Sequence, residues 1–226
     1  RRMSAALIGP AGTGKTFILR HLYSQLPEAR YRIRYLKVTD LSKRDMCREM
    51  AMVVGAQPAG TYPALVRKLQ DTFSNTVTTD GLRPVLIIDE AHDMRSHVLA
   101  MLRLLTNFEM DSKLVVSFIL AGQPGLLRTL QRSEVADIAQ RLAYCGTMRL
   151  LSRDETTDYL AHRLRLAGSK GELFAREAVE AVFDMSRGNL RAIDFIALRS
   201  LQVAADAECK MVEASHVITA RTGIIQ

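Results

Sequence analysis

No stretch of this 226-residue chain is apolar for long enough to cross a bilayer. The longest run, residues 114–122, is interrupted by Ser117 and falls short of the ~18 residues a membrane helix requires. Cysteine is scarce: Cys47, Cys145 and Cys209 stand far apart, without the paired spacing of a zinc site or a disulfide framework. That pattern fits a reducing compartment and thiols acting as small core residues. Internal repeats and low-complexity segments are absent, and no initiator Met precedes Arg1, so the chain is expected to be a piece of a longer protein. What is present can fold. Hydrophobic residues make up 48% and charged residues 24%, which excludes a disordered or collagen-like polypeptide. At about 150 residues per domain, the length suits one large domain or a core with a small companion.

Acidic residues are few in the first third. Residues 1–75 hold thirteen Lys and Arg against five Asp and Glu, while the rest of the chain is balanced at 18 against 19. The formal net charge of +7 is therefore concentrated at one end. A localised basic surface suits a polyanion, because Lys and Arg bind a phosphate backbone by displacing its counterions; the competing reading is a solvated basic face.

Hydrophobic patterning predicts alternating strands and helices as far as residue 150. Strands are expected at 3–8, 33–38, 84–89, 114–120 and 146–150. Helices are expected at 15–26, from Ser42 to Gly55 with Asp45 at the capping-box position, and at 62–73, 96–106, 125–131 and 133–142. Such alternation predicts a parallel α/β sheet. Beyond it only helices are expected, at 152–167, 174–186, 190–207 and 213–222, the first opened by the capping box Ser152–Glu155. The expected division is thus an α/β core over 1–151 and a helical domain over 152–226.

Two motifs carry chemistry. Gly9-Pro10-Ala11-Gly12-Thr13-Gly14-Lys15-Thr16 fits G-x-x-x-x-G-K-T between a predicted strand and helix, and Phe17 follows it. Glycines let the loop wrap phosphates, the helix N-terminus adds positive potential, Lys15 reaches the β- and γ-phosphates, and Thr16 is placed to hold Mg²⁺. Val85-Leu86-Ile87-Ile88-Asp89-Glu90 is an apolar strand that presents an acidic pair at its C-terminal end, where open parallel sheets bind ligands. Asp89 suits the magnesium shell and Glu90 the activation of the attacking water. Together they point to nucleoside-triphosphate hydrolysis. Asp89-Glu90-Ala91-His92 also spells a helicase signature, but such enzymes need two such domains, and His92 reads as a partly buried histidine.

The phosphate loop, the Asp-Glu strand, a fourth strand ending in a polar residue and a helical C-terminal part together resemble the AAA+ ATPases. Within them, residues 86–105 and the Ile-Leu-Ala-Gly-Gln-Pro-Gly of 119–125 are similar to the ExeA branch, which includes the MuB and TnsC transposition regulators. The resemblance implies a P-loop NTPase core with a five-stranded parallel sheet and a small all-helical lid. It also implies ATP and Mg²⁺ as cofactors and slow, regulatory ATP hydrolysis. It gives Gln123 the sensor 1 position, Arg141 the place of an arginine finger acting on a neighbouring subunit (with Arg128 and Arg132 as rivals), and Arg191 the sensor 2 position. For the transposition regulators it implies subunits assembled as a hexameric ring or a helical filament on duplex DNA in the bacterial cytoplasm, with a transposase and a target-selection adaptor as further partners. Lys37, Lys43, Arg44, Arg48, Arg67 and Lys68 are the candidate backbone contacts. The alternative is a secretion-associated ATPase of the ExeA type; a small metabolite kinase is the third class.

Overall fold

The computed structural model describes residues 3–58, 60–108 and 113–222. Its contacts divide into two compact units, one of the residues up to Pro10 with Lys15–Met148 and one running from Arg149 onward that also claims the loop Ala11–Gly14.

The first unit is built on a five-stranded sheet in the order β2-β3-β6-β1-β7, parallel throughout. Its strands are β1 (Ser4–Ile8), β2 (Tyr31–Lys37), β3 (Arg83–Asp89), β6 (Ser117–Gly122) and β7 (Leu142–Thr147). A two-residue antiparallel ladder, β4 (Asn107–Phe108) with β5 (Lys113–Leu114), stands apart from it. Parallel strands need crossovers, supplied by α1 (Lys15–Gln25), α2 (Lys43–Val54), α3 (Tyr62–Thr78), α4 (Ser96–Met101), α5 (Arg103–Thr106), α6 (Gly125–Leu130) and α7 (Ala136–Ala139). From Pro84 to Ile88 β3 is apolar because it is covered on both faces. Leu86 and Ile88 join the core under α2, α3 and α4, with Met50, Leu69 and Leu99; Val85 and Ile87 pack on the opposite side with Leu19 of α1. Each of these fully buried side chains contributes ~1.5–3 kcal/mol. β2 lies at the sheet edge, so Arg32 and Arg34 are tolerated within it.

Several expectations shift. The last strand of the sheet covers Leu142–Thr147 rather than 146–150, and the helix expected over 133–142 shrinks to a 3-10 turn, Ser133–Val135, and α7. Pairing with β1 decides this: Ala5 aligns with Tyr144 and Ile8 with Thr147, which draws residues of helical composition into a strand. The fourth sheet strand starts at Ser117 instead of residue 114, and the helix expected over 96–106 breaks at Leu102. Helix α3 continues past residue 73 to Thr78. Only Cys47 is a core thiol, its pKa pushed up to about 12 by burial; Cys145 and Cys209 are exposed, contrary to expectation.

The second unit holds α8 (Arg153–Leu166), α9 (Arg176–Ser186), α10 (Leu190–Asp206) and α11 (Ala214–Thr222) around Leu160, Val182, Ile193, Ile196 and Val217. It begins at Arg149, ahead of the expected boundary at residue 151. Ser152 accepts from the Glu155 N–H while the Glu155 carboxylate accepts from the Ser152 N–H, so the anticipated capping box is complete. α9 starts at Arg176 rather than residue 174 because Phe174 forms a bridge to Val212. Gly188 is obligatory. At φ +75 a Cβ there would stand 2.0 Å from the Leu151 carbonyl oxygen, because the Leu151 N–H donates to the Gly188 carbonyl at 2.9 Å and holds the two backbones together. Among the described residues no helix is long and apolar enough to cross a membrane.

Candidate nucleotide site

β1 ends at Ile8, and the chain turns into α1 through the glycine loop. Gly12 and Gly14 hold φ of +76 and +89, conformations that L side chains rarely adopt. Lys15, only 6% exposed, curls back over the turn and donates to the carbonyls of Gly9 and Pro10, both at 2.9 Å. Gly9 N–H donates to the Gly122 carbonyl at 3.1 Å, which fixes the loop entrance against the end of β6. Thr13 is buried, whereas Phe17, in the first turn of α1, is 77% exposed.

The alternation of β3 sends Val85, Ile87 and Asp89 to the face that α1 covers, which brings Asp89 to Thr16. The Asp89 carboxylate is buried and fully engaged. Oδ2 accepts from the Thr16 hydroxyl at 2.8 Å and from the Tyr35 hydroxyl at 2.9 Å, and Oδ1 accepts from the Glu90 N–H at 2.9 Å. The phenol of Tyr35 is pushed up to about 12, first by burial and then by its bond to Asp89. Tyr35 is a site residue that sequence reasoning missed. It pairs in register with Ile87, one step short of Asp89 on the same face, and only the placement of β2 beside β3 reveals it.

At Glu90 the backbone turns left-handed, φ 56 and ψ 32, which reverses the chain into a 3-10 turn, Ala91–Asp93. For a non-glycine residue this costs ~1–3 kcal/mol, a strain typical of functional sites. His92 follows, with 16% of its side chain exposed. Its Nε2 lies 2.7 Å from Gln123 Nε2 at the tip of β6, and its Nδ1 lies 3.4 Å from Glu90 Oε2. Glu90 Oε2 and His92 Nδ1 are buried without a hydrogen-bond partner. Left so, each costs ~1–3 kcal/mol.

The structure thus brings together Lys15, Thr16, Asp89, Glu90 and Gln123 at the C-terminal ends of β1, β3 and β6. Arg141 does not join them. It precedes β7 at the opposite end of the strands, where its carbonyl accepts from Ser4 N–H and its Nε donates to the Asp137 carbonyl at 3.1 Å. Of its rivals, Arg132 donates to Ser96 Oγ at 2.9 Å. Arg191 is exposed in the first turn of α10, whose N-cap Asn189 accepts from Ala192 N–H and donates to the Ala11 carbonyl at 2.7 Å. Among the proposed DNA contacts, Lys37, Lys43, Arg44, Arg67 and Lys68 are exposed and Arg48 is half-buried, on the end of β2 and on α2 and α3.

The residues present fit a magnesium nucleotide. A hydroxyl and a single carboxylate converge, the oxygen donor set of a Mg²⁺ that completes its shell with phosphate and water, beside a lysine already curled over a glycine loop. Among the described residues no cluster of three or more His, Cys, Asp or Glu could hold a metal on protein ligands alone, which a Mg²⁺ shared with phosphate does not need.

The chain is 33% identical over 201 residues to General secretion pathway protein A of Aeromonas hydrophila, a match covering 88% of this chain and 36% of that protein. Its fold is similar to the crystal structure of Cdc6p from Pyrobaculum aerophilum, with a TM-score of 0.70 and 19% identity over 92% of this chain and 57% of that one. It is also similar to the Thermotoga maritima RuvB Holliday junction branch migration motor, with a TM-score of 0.63 and 17% identity over 96% and 60%. The Aeropyrum pernix ORC1 protein in complex with DNA gives 0.67 and 16% over 99% and 60%. The chain spans little more than a third of the secretion protein and about three fifths of the solved chains. Residues 1–130, more than half of the chain, match the AAA domain family, and with its glycine loop and acidic strand end this protein belongs to that family as an AAA+ ATPase.

Proposed function

We propose that this chain is the ATPase part of a secretion-associated protein of the ExeA type, converting ATP and water to ADP and phosphate. The likeness to General secretion pathway protein A carries the secretion reading, and it favours this alternative over the transposition regulator, which was the first expectation from the family resemblance. In this reading ATP, when bound, would supply the γ-phosphoryl group that passes to water with ADP as the leaving group, and its Mg²⁺ would neutralise the charge that develops on the phosphate oxygens. Lys15 leaves the loop carbonyls for the β- and γ-phosphate oxygens, and Thr16 and Asp89 hold the cation. Glu90 accepts a proton from the attacking water, and Gln123 orients that water. Arg191 follows the nucleotide state from α10. Arg141, remote from its own glycine loop, serves the site of an adjoining copy.

Glu90→Gln should bind nucleotide normally and hydrolyse it ~10²–10⁴-fold more slowly, the range for a lost general base. Unchanged turnover would remove Glu90 from the reaction. A chromosomal Lys15→Ala allele should reduce output of the general secretion pathway and leave transposition frequency unaffected; the reverse pattern would reinstate the transposition reading.

The basic first third supports duplex DNA as a second ligand. If all six candidate cations contact phosphate, log affinity should fall against log salt with a slope of about −5. A slope near zero would exclude DNA.

A further inference from the structure

We propose that His92 is a positioning residue that links Glu90 to Gln123, so that an event at the tip of β6 sets the orientation of the carboxylate at the end of β3. The inference rests on hydrolysis at this site and adds a residue whose role the two motifs leave open. Its basis is a pattern of donors and acceptors. An amide N–H can only donate, so with Gln123 Nε2 at 2.7 Å the His92 Nε2 must accept. The ring proton therefore sits on Nδ1, which is buried and has no hydrogen-bond partner. It faces Glu90 Oε2, equally buried and unpartnered, across 3.4 Å. A donor and an acceptor confront each other with only a few tenths of an ångström to close. The other carboxylate nearby, Asp93 Oδ1, lies 3.5 Å from Nε2 on a half-exposed side chain, beyond the nitrogen that Gln123 already occupies. A histidine kept only to fill space would not place both ring nitrogens opposite complementary polar atoms from different strands.

The link has a direction. Gln123 follows Gly122, whose carbonyl binds the entrance of the glycine loop, and its amide keeps a second hydrogen for the lytic water or the γ-phosphate. When that amide turns to the phosphate, the imidazole turns with it and the carboxylate swings between Nδ1 and the water. His92 touches neither water nor nucleotide; it fixes where Glu90 points.

The test compares His92→Leu, which keeps bulk and removes both nitrogens, with His92→Gln, whose amide can accept from Gln123 and donate to Glu90. His92→Leu should lower kcat ~10–100-fold, the scale of a misplaced catalytic group, with the KM for ATP and the affinity for a slow analogue unchanged within about twofold. His92→Gln should recover most of the loss. Adding His92→Leu to Glu90→Gln should change nothing further, since the carboxylate to be positioned is gone. Should His92→Leu fail to fold, His92→Asn, whose shorter amide cannot reach both Gln123 and Glu90, takes its place and must show the same loss in kcat at constant KM. Wild-type kcat in His92→Leu alongside a slow Glu90→Gln overturns the link alone, as does an equal loss in the Leu and Gln variants. A Glu90→Gln enzyme at full speed removes Glu90 from the reaction and overturns the link with it, whereas a wild-type protein without turnover overturns the hydrolysis reading itself.

Discussion

Removing one oxygen atom from Tyr35 tests the architecture of the acidic site. The Asp89 carboxylate is 1% exposed and accepts three hydrogen bonds, one of them from the Tyr35 hydroxyl at 2.9 Å. A hydrogen bond to a charged group contributes ~1.5–3 kcal/mol. Tyr35 is 38% exposed, so water replaces part of what Tyr35→Phe removes, and we expect a loss of about 1–2 kcal/mol. The chain has no Trp, so unfolding is followed in urea by far-ultraviolet circular dichroism. With a slope of about 3 kcal/mol/M the midpoint of the α/β unit should fall by roughly 0.5 M. In an Asp89→Asn background the bond is neutral and Tyr35→Phe should cost about half as much. The pH dependence follows from the same contact. Because burial and the bond to Asp89 raise the folded pKa of Tyr35 to about 12, above the ordinary phenol value of about 10, its contribution is complete below pH 10 and disappears as pH rises through about 12. A Tyr35→Phe midpoint within ~0.1 M of wild type, or equal costs in the two backgrounds, would refute the reasoning.

Thr16→Val removes the hydroxyl that meets Asp89 at 2.8 Å, and turnover should fall at least ~10²-fold while binding loses its Mg²⁺ dependence, measured by titration with and without chelator. Gly188→Ala should destabilise the helical unit by more than ~2 kcal/mol, seen as an early unfolding transition, because its Cβ meets the Leu151 carbonyl and φ is positive. Glu155 is held down to about 2, first by Arg149 and then by the Ser152 N–H. Its contribution is therefore present above about pH 4.5 and lost as pH falls toward 2, so Arg149→Ala should flatten acid unfolding in that window. Mixing Arg141→Ala with Lys15→Ala subunits should restore turnover that neither shows alone; no restoration would mean that Arg141 serves no neighbour.

The glycine loop, the acidic strand end and the polar tip of β6 were legible because each depends on a short run of neighbours in the chain: Gly9 to Thr16, Val85 to Glu90, and Gly122 with Gln123. The contribution of Tyr35 was not. It arises from the lateral pairing of two strands separated by α2 and α3, and nothing within β2 distinguishes a tyrosine that reaches a carboxylate from one that faces solvent. The same cause moved the last strand. Leu142-Ala143 has helical composition, and its register against β1 overrides that pattern. Thiol burial failed for a related reason: Cys145 lies on an edge strand and Cys209 follows the end of α10, places that composition does not reveal.

The left-handed backbone at Glu90 sets durability against turnover. Glycine would relieve the cost of ~1–3 kcal/mol there and forfeit part of the gain, ~0.5–1 kcal/mol, through the freer unfolded chain. Glu90→Gly should therefore give a dead protein that outlasts the active one on heating, so selection for robustness alone would erase the carboxylate. Its presence at a left-handed joint after β3 records which of the two demands prevailed.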